Sequence, residues 1–380
     1  MKKKQKKSTL YSYLVFILIG AVIGFLVIFI PTRIMDNNSL SNSSSIDFIL
    51  YLGTLFFSML IATYIQIIIH ETGHLVCGLL SGYKFVSFRI RSFTLIKKAG
   101  KYSLKTFKVP GTGGQCLMMP PELINGNLPY KLYNLGGTLF NIIFSTIAIL
   151  CLAFLELPVT IFSFLLIFSI LGILFALLNG IPMKLSGIAN DGYNIESMAK
   201  DNVALRIFYL QLKINGLQTE GVRLKDMPDK WFEVPENINL KDGLHLSLFL
   251  FISARYFDKL DFEKAHQCLN DIETYAENLI GLYQKERTCE LLFFEIIGEC
   301  HPEVIKELYT DDIETYVKQF NKYMFSKKRL LYTYTIAVEK DSQKAENIFK
   351  EAIKMQASYP LAGDADTELE IMEYVRKKFL

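Results

Sequence analysis

The chain has 380 residues, of which 51% are hydrophobic, and its formal net charge at pH 7 is +3. This composition excludes a simple soluble enzyme, and the length accommodates a membrane part and a soluble part. Charge divides the chain in the same way: residues 1–200 hold 17 basic and 7 acidic side chains, and residues 201–380 hold 24 and 31. The second part is richly charged and has no long apolar run.

Four charge-free stretches are long enough to span a bilayer, which takes about 20 residues of helix. They are residues 11–32, 48–69, 132–155 and 157–183. Only Glu156 separates the last two stretches, so they are predicted to form a tight helical hairpin. A cleaved signal peptide is the alternative for the first stretch, but no small-residue cleavage site follows it.

The distribution of Lys and Arg predicts the orientation of these spans. Five lysines precede the first stretch, the loop 31–47 carries one basic residue, and the loop 83–131 carries nine. Because cytoplasmic loops are enriched in Lys and Arg, four spans are predicted to leave both termini and the long loop in the cytoplasm. The N-terminal lysine run is therefore interpreted as a topology signal, and no nucleic-acid partner is expected.

The sequence His70-Glu71-Thr72-Gly73-His74 directly follows the second apolar stretch. On a helix, histidines at i and i+4 share one face, and the adjacent glutamate can serve a metal-bound water, as in H-E-x-x-H zinc hydrolases. Ionisable groups in lipid are costly and are functional candidates for that reason. The alternative is a pair of interfacial histidines bonded to backbone or lipid headgroups. The first hypothesis is a metalloprotease that works inside or at the edge of a membrane.

A catalytic zinc requires a third protein ligand. Few ionisable residues lie in or next to the apolar stretches, and two acids among them are candidates. Glu156 lies at the far side of the membrane in the predicted topology, whereas Asp191 follows the fourth span, where the chain returns to the level of His74. Depth therefore selects Asp191, for which a helix N-cap is the alternative role.

These features resemble the site-2 protease family of intramembrane zinc metalloproteases over roughly residues 48–195. In that family a later membrane helix carries Asn-x-x-Pro followed by Asp-Gly, and the similar residues here are Asn179, Pro182 and Asp191. The gap before Asp191 is longer than in the common form, and Asn190 replaces the usual leucine. A Gly-Pro-x-x-Asn element of the family is similar to residues 137–141, with Thr138 in place of proline.

The resemblance implies a function for each matching residue. It implies zinc ligation by His70, His74 and Asp191, with Glu71 as the catalytic base. It implies contacts with substrate for Gly137, Asn141, Asn179 and Pro182. For Asn141 the alternative is a hydrogen bond to a neighbouring helix, and for the last two it is a role in shaping the helix end.

The segments around this core have simpler patterns. Alternating apolar residues predict a β-hairpin over 85–109, and Gly and Pro predict irregular backbone over 110–121. A helical pattern covers residues 195–214, a linker-like segment covers 216–240, and amphipathic helices follow from residue 244. Residues 261–265 and 341–345 are similar to each other, which indicates either a helical repeat or an ordinary bundle.

The sequence thus predicts an all-α polytopic membrane protein with about four transmembrane helices and a small cytoplasmic β-hairpin. Its expected segments are an N-terminal part with the first span and an external loop (1–47), a metalloprotease core (48–195), a helix and linker (196–243) and a cytoplasmic helical domain (244–380). The expected location is a bacterial plasma membrane, since the Lys, Ile, Phe and Asn usage is associated with low-GC bacteria.

The expected function is zinc-dependent hydrolysis of a peptide bond in or near a transmembrane segment of a membrane protein or peptide precursor. The helical C-terminal domain is expected to gate substrate or to bind a cytoplasmic protein partner. One alternative is a catalytically silent scaffold or immunity protein that retains the fold. A transporter component is a further alternative, against which the sequence shows no internal membrane repeat.

Overall fold

The computed structural model describes residues 45–107, 113–185, 188–279 and 281–380, together with Gly20, Ala21 and Gly24. Packing divides the chain into two compact units. The membrane unit comprises residues 1–81 and 130–195, and the helical unit comprises residues 82–129 and 196–380. Apart from those three residues, the predicted first span and the lysine run before it lie outside the described residues.

Three helices of the membrane unit are long and apolar enough to cross a membrane: α1 (Ser45–Leu80), α2 (Tyr130–Phe154) and α3 (Val159–Gly180). They correspond to the second, third and fourth predicted spans. The second span continues as one helix through the motif to Leu80, and Gly82 adopts a left-handed φ of 81° that suits a helix end. The predicted hairpin between the last two spans is confirmed.

The three helices pack around a narrow apolar stripe. Leu55, Ala62 and Ile69 recur every seventh residue of α1 and are buried against Ala148 of α2 and Ile167 of α3. The outward faces of the same helices carry exposed apolar side chains. Helices that are hydrophobic all round are typical of membrane spans, because lipid contacts the outer face.

A four-stranded antiparallel sheet in the helical unit covers the segment of the predicted hairpin, which forms three strands where two were expected. Its strands are β1 (Lys84–Ile90), β2 (Phe93–Lys98), β3 (Lys101–Thr106) and β4 (Gly114–Met119). Their order is β3-β2-β1-β4. Ala99 and Gly100 connect β2 to β3, and both have positive φ, as a two-residue hairpin turn of this type requires.

The prediction of irregular backbone over residues 110–121 is wrong for residues 114–119. These residues form β4, which pairs with β1 from Gly114↔Ile90 to Met119↔Lys84. Cys116 and Met118 point to the buried side of β4. Flanking Gly and Pro hid this alternation, and a strand of this kind is stabilised by its partner more than by its own propensity.

Thirteen helices form in the described residues, and ten of them follow the membrane spans. They are α4 (Asp191–Lys200), α5 (Asn202–Glu220), α6 (Gly243–Asp258), α7 (Phe262–Asn270), α8 (Gly281–Ile297), α9 (Pro302–Leu308), α10 (Asp311–Phe320), α11 (Phe325–Ala337), α12 (Ser342–Gln356) and α13 (Ala362–Phe379). The single helical pattern predicted over 195–214 is divided between α4 and α5. The predicted linker overlaps the end of α5, and it buries Leu224, Met227 and Phe232.

The two similar segments of the helical unit adopt the same local structure. Leu260 and Lys340 have left-handed φ angles of 56° and 57°. The next residues, Asp261 and Asp341, accept a backbone hydrogen bond three residues on and so cap α7 and α12. Each segment therefore forms the turn of a helical hairpin.

A cluster of ionised side chains lies inside the helical unit. Arg329 is 2% exposed and donates to Glu290 and Glu368, each at 2.6 Å. Asp364 and Glu368 line a cavity of about 270 Å³ beside Arg329. Burial, reinforced by the charge of Glu368, raises the pKa of Asp364 to about 8. Asp364 is therefore largely protonated at neutral pH.

Candidate active site

Helix α1 carries the H-E-x-x-H motif near its C-terminal end. His70 and His74 lie one turn apart, and their Nε2 atoms are 3.1 Å apart. Glu71 and His74 are 9% and 8% exposed, so both are enclosed by the neighbouring helices. The motif depends on unbroken helix, because the i, i+4 spacing brings both rings to one face only in that conformation.

Asp191, the first residue of α4, meets both histidines. Its Oδ2 atom lies 3.3 Å from Nε2 of His70 and 3.3 Å from Nε2 of His74. Burial favours the neutral acid, but the neighbouring imidazoles, His74 foremost, outweigh burial and hold the pKa of Asp191 below its ordinary value. Asp191 is therefore a carboxylate at neutral pH. In the part of the chain that the structure describes, no other group of three His, Cys, Asp or Glu has metal-ligand spacing.

The three facing atoms fit a tetrahedral zinc ion. Zinc binds imidazole nitrogen and carboxylate oxygen at about 2.0–2.1 Å, so two ligands of a tetrahedral ion lie about 3.3–3.4 Å apart. The edges of the observed triangle are 3.1, 3.3 and 3.3 Å. Asp191 Oδ2 is buried without a hydrogen-bond partner. A cation between the three atoms would satisfy this oxygen.

The outer nitrogen of each histidine has an acceptor. His70 Nδ1 is 2.8 Å from Asn141 Oδ1, and His74 Nδ1 is 2.8 Å from the Tyr133 carbonyl oxygen. Both acceptors require a proton on Nδ1, so Nε2 is the nitrogen of each ring that is left to bind a metal ion. This tautomer is the one that a metal-ligating histidine needs, and such outer partners usually hold it.

Glycines allow α1 and α2 to approach closely beside the motif. A Cβ at Gly73 would lie 2.2 Å from the Gly136 carbonyl oxygen, and a Cβ at Gly136 would lie 2.3 Å from the Gly73 carbonyl oxygen. A Cβ at Gly137 would lie 2.4 Å from Cε1 of His70. Small residues are typical where membrane helices cross in contact. Gly137, predicted as a substrate contact, therefore lies against the His70 ring, and its contact with substrate stays a prediction.

Asn179 and Pro182 shape the end of α3. The Asn179 amide donates to the Phe175 carbonyl one turn back in the same helix, at 3.0 Å. Helix α3 ends at Gly180, and Pro182 is exposed in the segment that follows. Neither side chain lies among the three facing atoms of His70, His74 and Asp191, and the contact of Asn179 and Pro182 with substrate stays a prediction.

Asn190 is the residue that caps α4. Its Oδ1 atom accepts the backbone N–H of Tyr193 at 2.8 Å, as an N-cap residue does. The alternative role of Asp191 as the cap is therefore wrong, because Asp191 already belongs to the first turn of α4. With the cap supplied by its neighbour, the Asp191 carboxylate remains directed at the two histidines.

The longer gap before Asp191 is taken up by a small hairpin. Strands β5 (Lys184–Leu185) and β6 (Ile188–Ala189) pair with each other and return the chain to α3. Asn190 Nδ2 donates to the Leu178 and Ile181 carbonyls, each at 2.6 Å, and ties the hairpin to the end of α3. Gly192 allows the start of α4 to lie directly against the end of α3, since a Cβ there would lie 2.3 Å from the Gly180 carbonyl oxygen.

Sequence reasoning missed three groups that support the site. The Tyr133 carbonyl has no signature in the sequence, since every residue carries one. The role of Asn190 depends on where α3 ends in space. Gln66 did leave a signal, because it is an amide inside a charge-free span, one helical turn before His70.

Comparison with known proteins gives the family of this chain. The family model described as Peptidase family M50 matches residues 58–358, which is most of the chain. No curated protein and no solved structure matches the chain. The matched region begins within α1, contains both histidines and Asp191, and ends at residue 358, between α12 and α13. The chain therefore belongs to peptidase family M50, the site-2 protease family.

Proposed function

We propose that this protein is a zinc metalloendopeptidase that hydrolyses a peptide bond in or near a transmembrane segment of another membrane protein or peptide precursor. Membership of peptidase family M50 implies an intramembrane metalloprotease in general. The observation that carries the finer proposal is the triangle formed by His70 Nε2, His74 Nε2 and Asp191 Oδ2.

These three residues would hold the zinc ion. Bound zinc supplies Lewis-acid chemistry, which makes water a stronger acid and a scissile carbonyl a better electrophile. The chain contributes lone pairs on two histidines whose protons are held at Nδ1, and a carboxylate whose charge offsets part of the charge of the ion. Because no fourth protein ligand is needed, one position stays open for water or substrate.

Glu71 supports the proton transfers of this reaction. It follows His70 in α1 and is 9% exposed, and its charge acts on His74. In the proposed mechanism its carboxylate accepts a proton from the attacking water and returns it to the leaving amine. General acid–base catalysis of this kind contributes about 10²–10⁴-fold to the rate.

A transmembrane substrate hides its peptide bonds in helical hydrogen bonds. It must therefore unwind locally before hydrolysis, and Gly137, Asn179 and Pro182 are the proposed contacts. Asn141, expected from the sequence to be a fourth contact, is fully buried with its oxygen on His70 and its NH₂ group on Gln66, and is proposed to support His70 instead. The basic loop charges favour a cytoplasmic position for both termini and for this end of α1. Water reaches a site near that face more readily than one at the centre of the bilayer.

The test compares peptides from membranes and medium of host cells that carry the wild type or the Glu71→Gln variant. A fragment that is released only by the wild type identifies the substrate and supports the protease. The purified variant is expected to retain zinc, because Glu71 is not one of the three ligand residues. Cleavage by Glu71→Gln at the wild-type rate contradicts the mechanism.

The scaffold function remains the second candidate. It would need neither the base nor the metal, so the presence of Glu71 beside both histidines speaks against it. If wild-type and Glu71→Gln peptidomes match while deletion of the whole gene has a phenotype, the scaffold replaces the protease as the proposed function.

A further inference from the structure

We propose that Gln66 and Asn141 form a hydrogen-bonded relay that fixes the tautomer of His70, which makes Gln66 a positioning residue of the site. The inference rests on the proposed function, since it concerns how a zinc ligand is prepared. The inference goes beyond the proposed function because Gln66 belongs to none of the motifs in the sequence.

Gln66 is an amide buried in the middle of a membrane helix. Its side chain and that of Asn141 are both 0% exposed. Burying an amide without hydrogen bonds costs several kcal/mol in an apolar environment. Room for Gln66 exists because α3 has a glycine opposite: a Cβ at Gly172 would lie 2.4 Å from Gln66 Nε2. The fold therefore accommodates this amide at a defined position.

The relay joins all three membrane helices, and each group donates to the next in the order His70, Asn141, Gln66 and the Phe168 carbonyl. Gln66 Nε2 donates to the Phe168 carbonyl of α3 at 2.9 Å. Asn141 Nδ2 of α2 donates to Gln66 Oε1 at 2.7 Å, and also to the Gln66 main-chain oxygen at 3.1 Å. Asn141 Oδ1 then accepts from His70 Nδ1 at 2.8 Å.

The first acceptor determines the orientation of every later group. A main-chain carbonyl such as that of Phe168 can only accept, so Gln66 must turn its NH₂ group towards it. Gln66 Oε1 can likewise only accept, so Asn141 must turn its own NH₂ group towards Gln66. Asn141 Oδ1 is then left for His70, whose proton must be at Nδ1.

The two histidines differ in how their tautomers are held. His74 Nδ1 donates to the Tyr133 main-chain oxygen, which cannot exchange a donor for an acceptor. His70 depends on a side-chain amide, which can rotate and present NH₂ instead of oxygen. That rotation would move the His70 proton to Nε2 and block the lone pair that faces Asp191. Gln66 opposes the rotation, so His70 is the ligand that needs the relay.

Three single-residue variants of the full-length protein in detergent test the relay through zinc affinity, measured by competition with a chelator. Asn141→Leu removes the acceptor of His70, and we expect affinity to fall about 10–100-fold, as for other outer-shell changes. Gln66→Met removes the shorter of two bonds that orient Asn141, and we expect a roughly three- to tenfold loss. Ser169→Ala is the control: it removes a buried hydroxyl that bonds within its own helix, at the Leu166 carbonyl.

The decisive comparison is Gln66→Met in an Asn141→Asp background. An aspartate carboxylate accepts from His70 Nδ1 with either oxygen, so rotation of this side chain cannot present a donor to the ring. Gln66→Met is therefore expected to lose zinc affinity with Asn141 and to leave it nearly unchanged with Asn141→Asp, which a merely structural role would not produce.

Three outcomes would contradict either the relay through Gln66 or the proposed zinc-dependent function. Equal zinc affinity of wild type and Gln66→Met overturns the role of Gln66. An equal loss in both backgrounds overturns the relay, because Gln66 then acts through general packing. Failure of the wild type itself to bind zinc contradicts the proposed function instead, so the two failures are distinguishable.

Discussion

Gly137 lies directly against the imidazole of His70, where a Cβ would be 2.4 Å from the ring carbon Cε1. In an exposed helix Gly→Ala usually stabilises by about 1 kcal/mol, but here the added methyl meets a ligand ring. We expect Gly137→Ala to rotate or displace His70 and to lower zinc affinity about tenfold or more. Chelator competition on the purified protein measures this change.

Gly53→Ala is the matched control for that experiment. Gly53 lies on α1, and nothing would lie within 4 Å of a Cβ added there. We expect unchanged zinc affinity, with helix stability equal or higher. Equal zinc affinity of Gly137→Ala and Gly53→Ala would show that His70 tolerates the contact.

Asn190 is expected to hold Asp191 at the site by tying down the preceding hairpin. Its side chain donates to two carbonyls at 2.6 Å and accepts the backbone N–H groups of Met183 and Tyr193 at 3.1 and 2.8 Å. Asn190→Ala removes all four bonds, so we expect about tenfold weaker zinc binding and faster amide hydrogen exchange over residues 181–193. Exchange measured by mass spectrometry checks the second effect.

Asn215→Ala is the control for Asn190. The Asn215 amide donates to the Gln211 carbonyl one turn back in α5, in the helical unit. Zinc affinity and exchange over residues 181–193 should stay at wild-type values. If Asn190→Ala also retains both values, β5 and β6 position Asp191 without help from this side chain.

Removal of zinc and replacement of Asp191 are both expected to abolish cleavage and the stabilisation of the folded state by zinc. Chelation should abolish cleavage by the wild type, and added zinc should restore it. When the free zinc concentration is a hundred times the dissociation constant, zinc binding stabilises the folded state by about 2.7 kcal/mol. Zinc should therefore raise the unfolding temperature of the wild type but not of Asp191→Asn. A zinc-dependent rise in Asp191→Asn would assign the metal to other residues.

The carboxyl of Asp364 is expected to make the stability of the helical unit fall as pH rises from about 4 to about 8. The folded pKa of Asp364 is raised to about 8, while an unfolded aspartate titrates near 3.9. A raised pKa means that the folded state binds the proton more tightly, so stability is present at low pH and lost through pH 8. Asp364→Asn stays neutral and should flatten this dependence.

Fluorescence of Trp231, the single tryptophan of the chain, reports unfolding of this unit. For a domain of about 150–250 residues, 1 kcal/mol moves the midpoint by roughly 2–4 °C. Asp366→Asn removes an exposed carboxylate from the same helix and serves as control. Parallel pH curves for the wild type and Asp364→Asn would assign the pH dependence to another group.

Local chemistry explains what could be predicted from the sequence. The H-E-x-x-H motif lies at the end of a charge-free stretch, and helical spacing alone puts His70 and His74 on one face. Pro and Gly after residue 178 end α3 wherever it lies. The cost of an acid near lipid left few candidates for a third ligand, and depth was enough to select Asp191. Each of these inferences depends on neighbouring residues or on the membrane.

The tertiary structure decided which groups surround the histidines. Nothing in a single sequence indicates that the Tyr133 carbonyl faces His74, that Gly137 leaves space for His70, or that Gln66 reaches Asn141. These contacts depend on the rotation and crossing of α1 and α2, and β4 likewise forms only because β1 is beside it. The sequence by itself determined the chemical groups and their helices, whereas packing between helices decided their tautomers, their partners and the space around them.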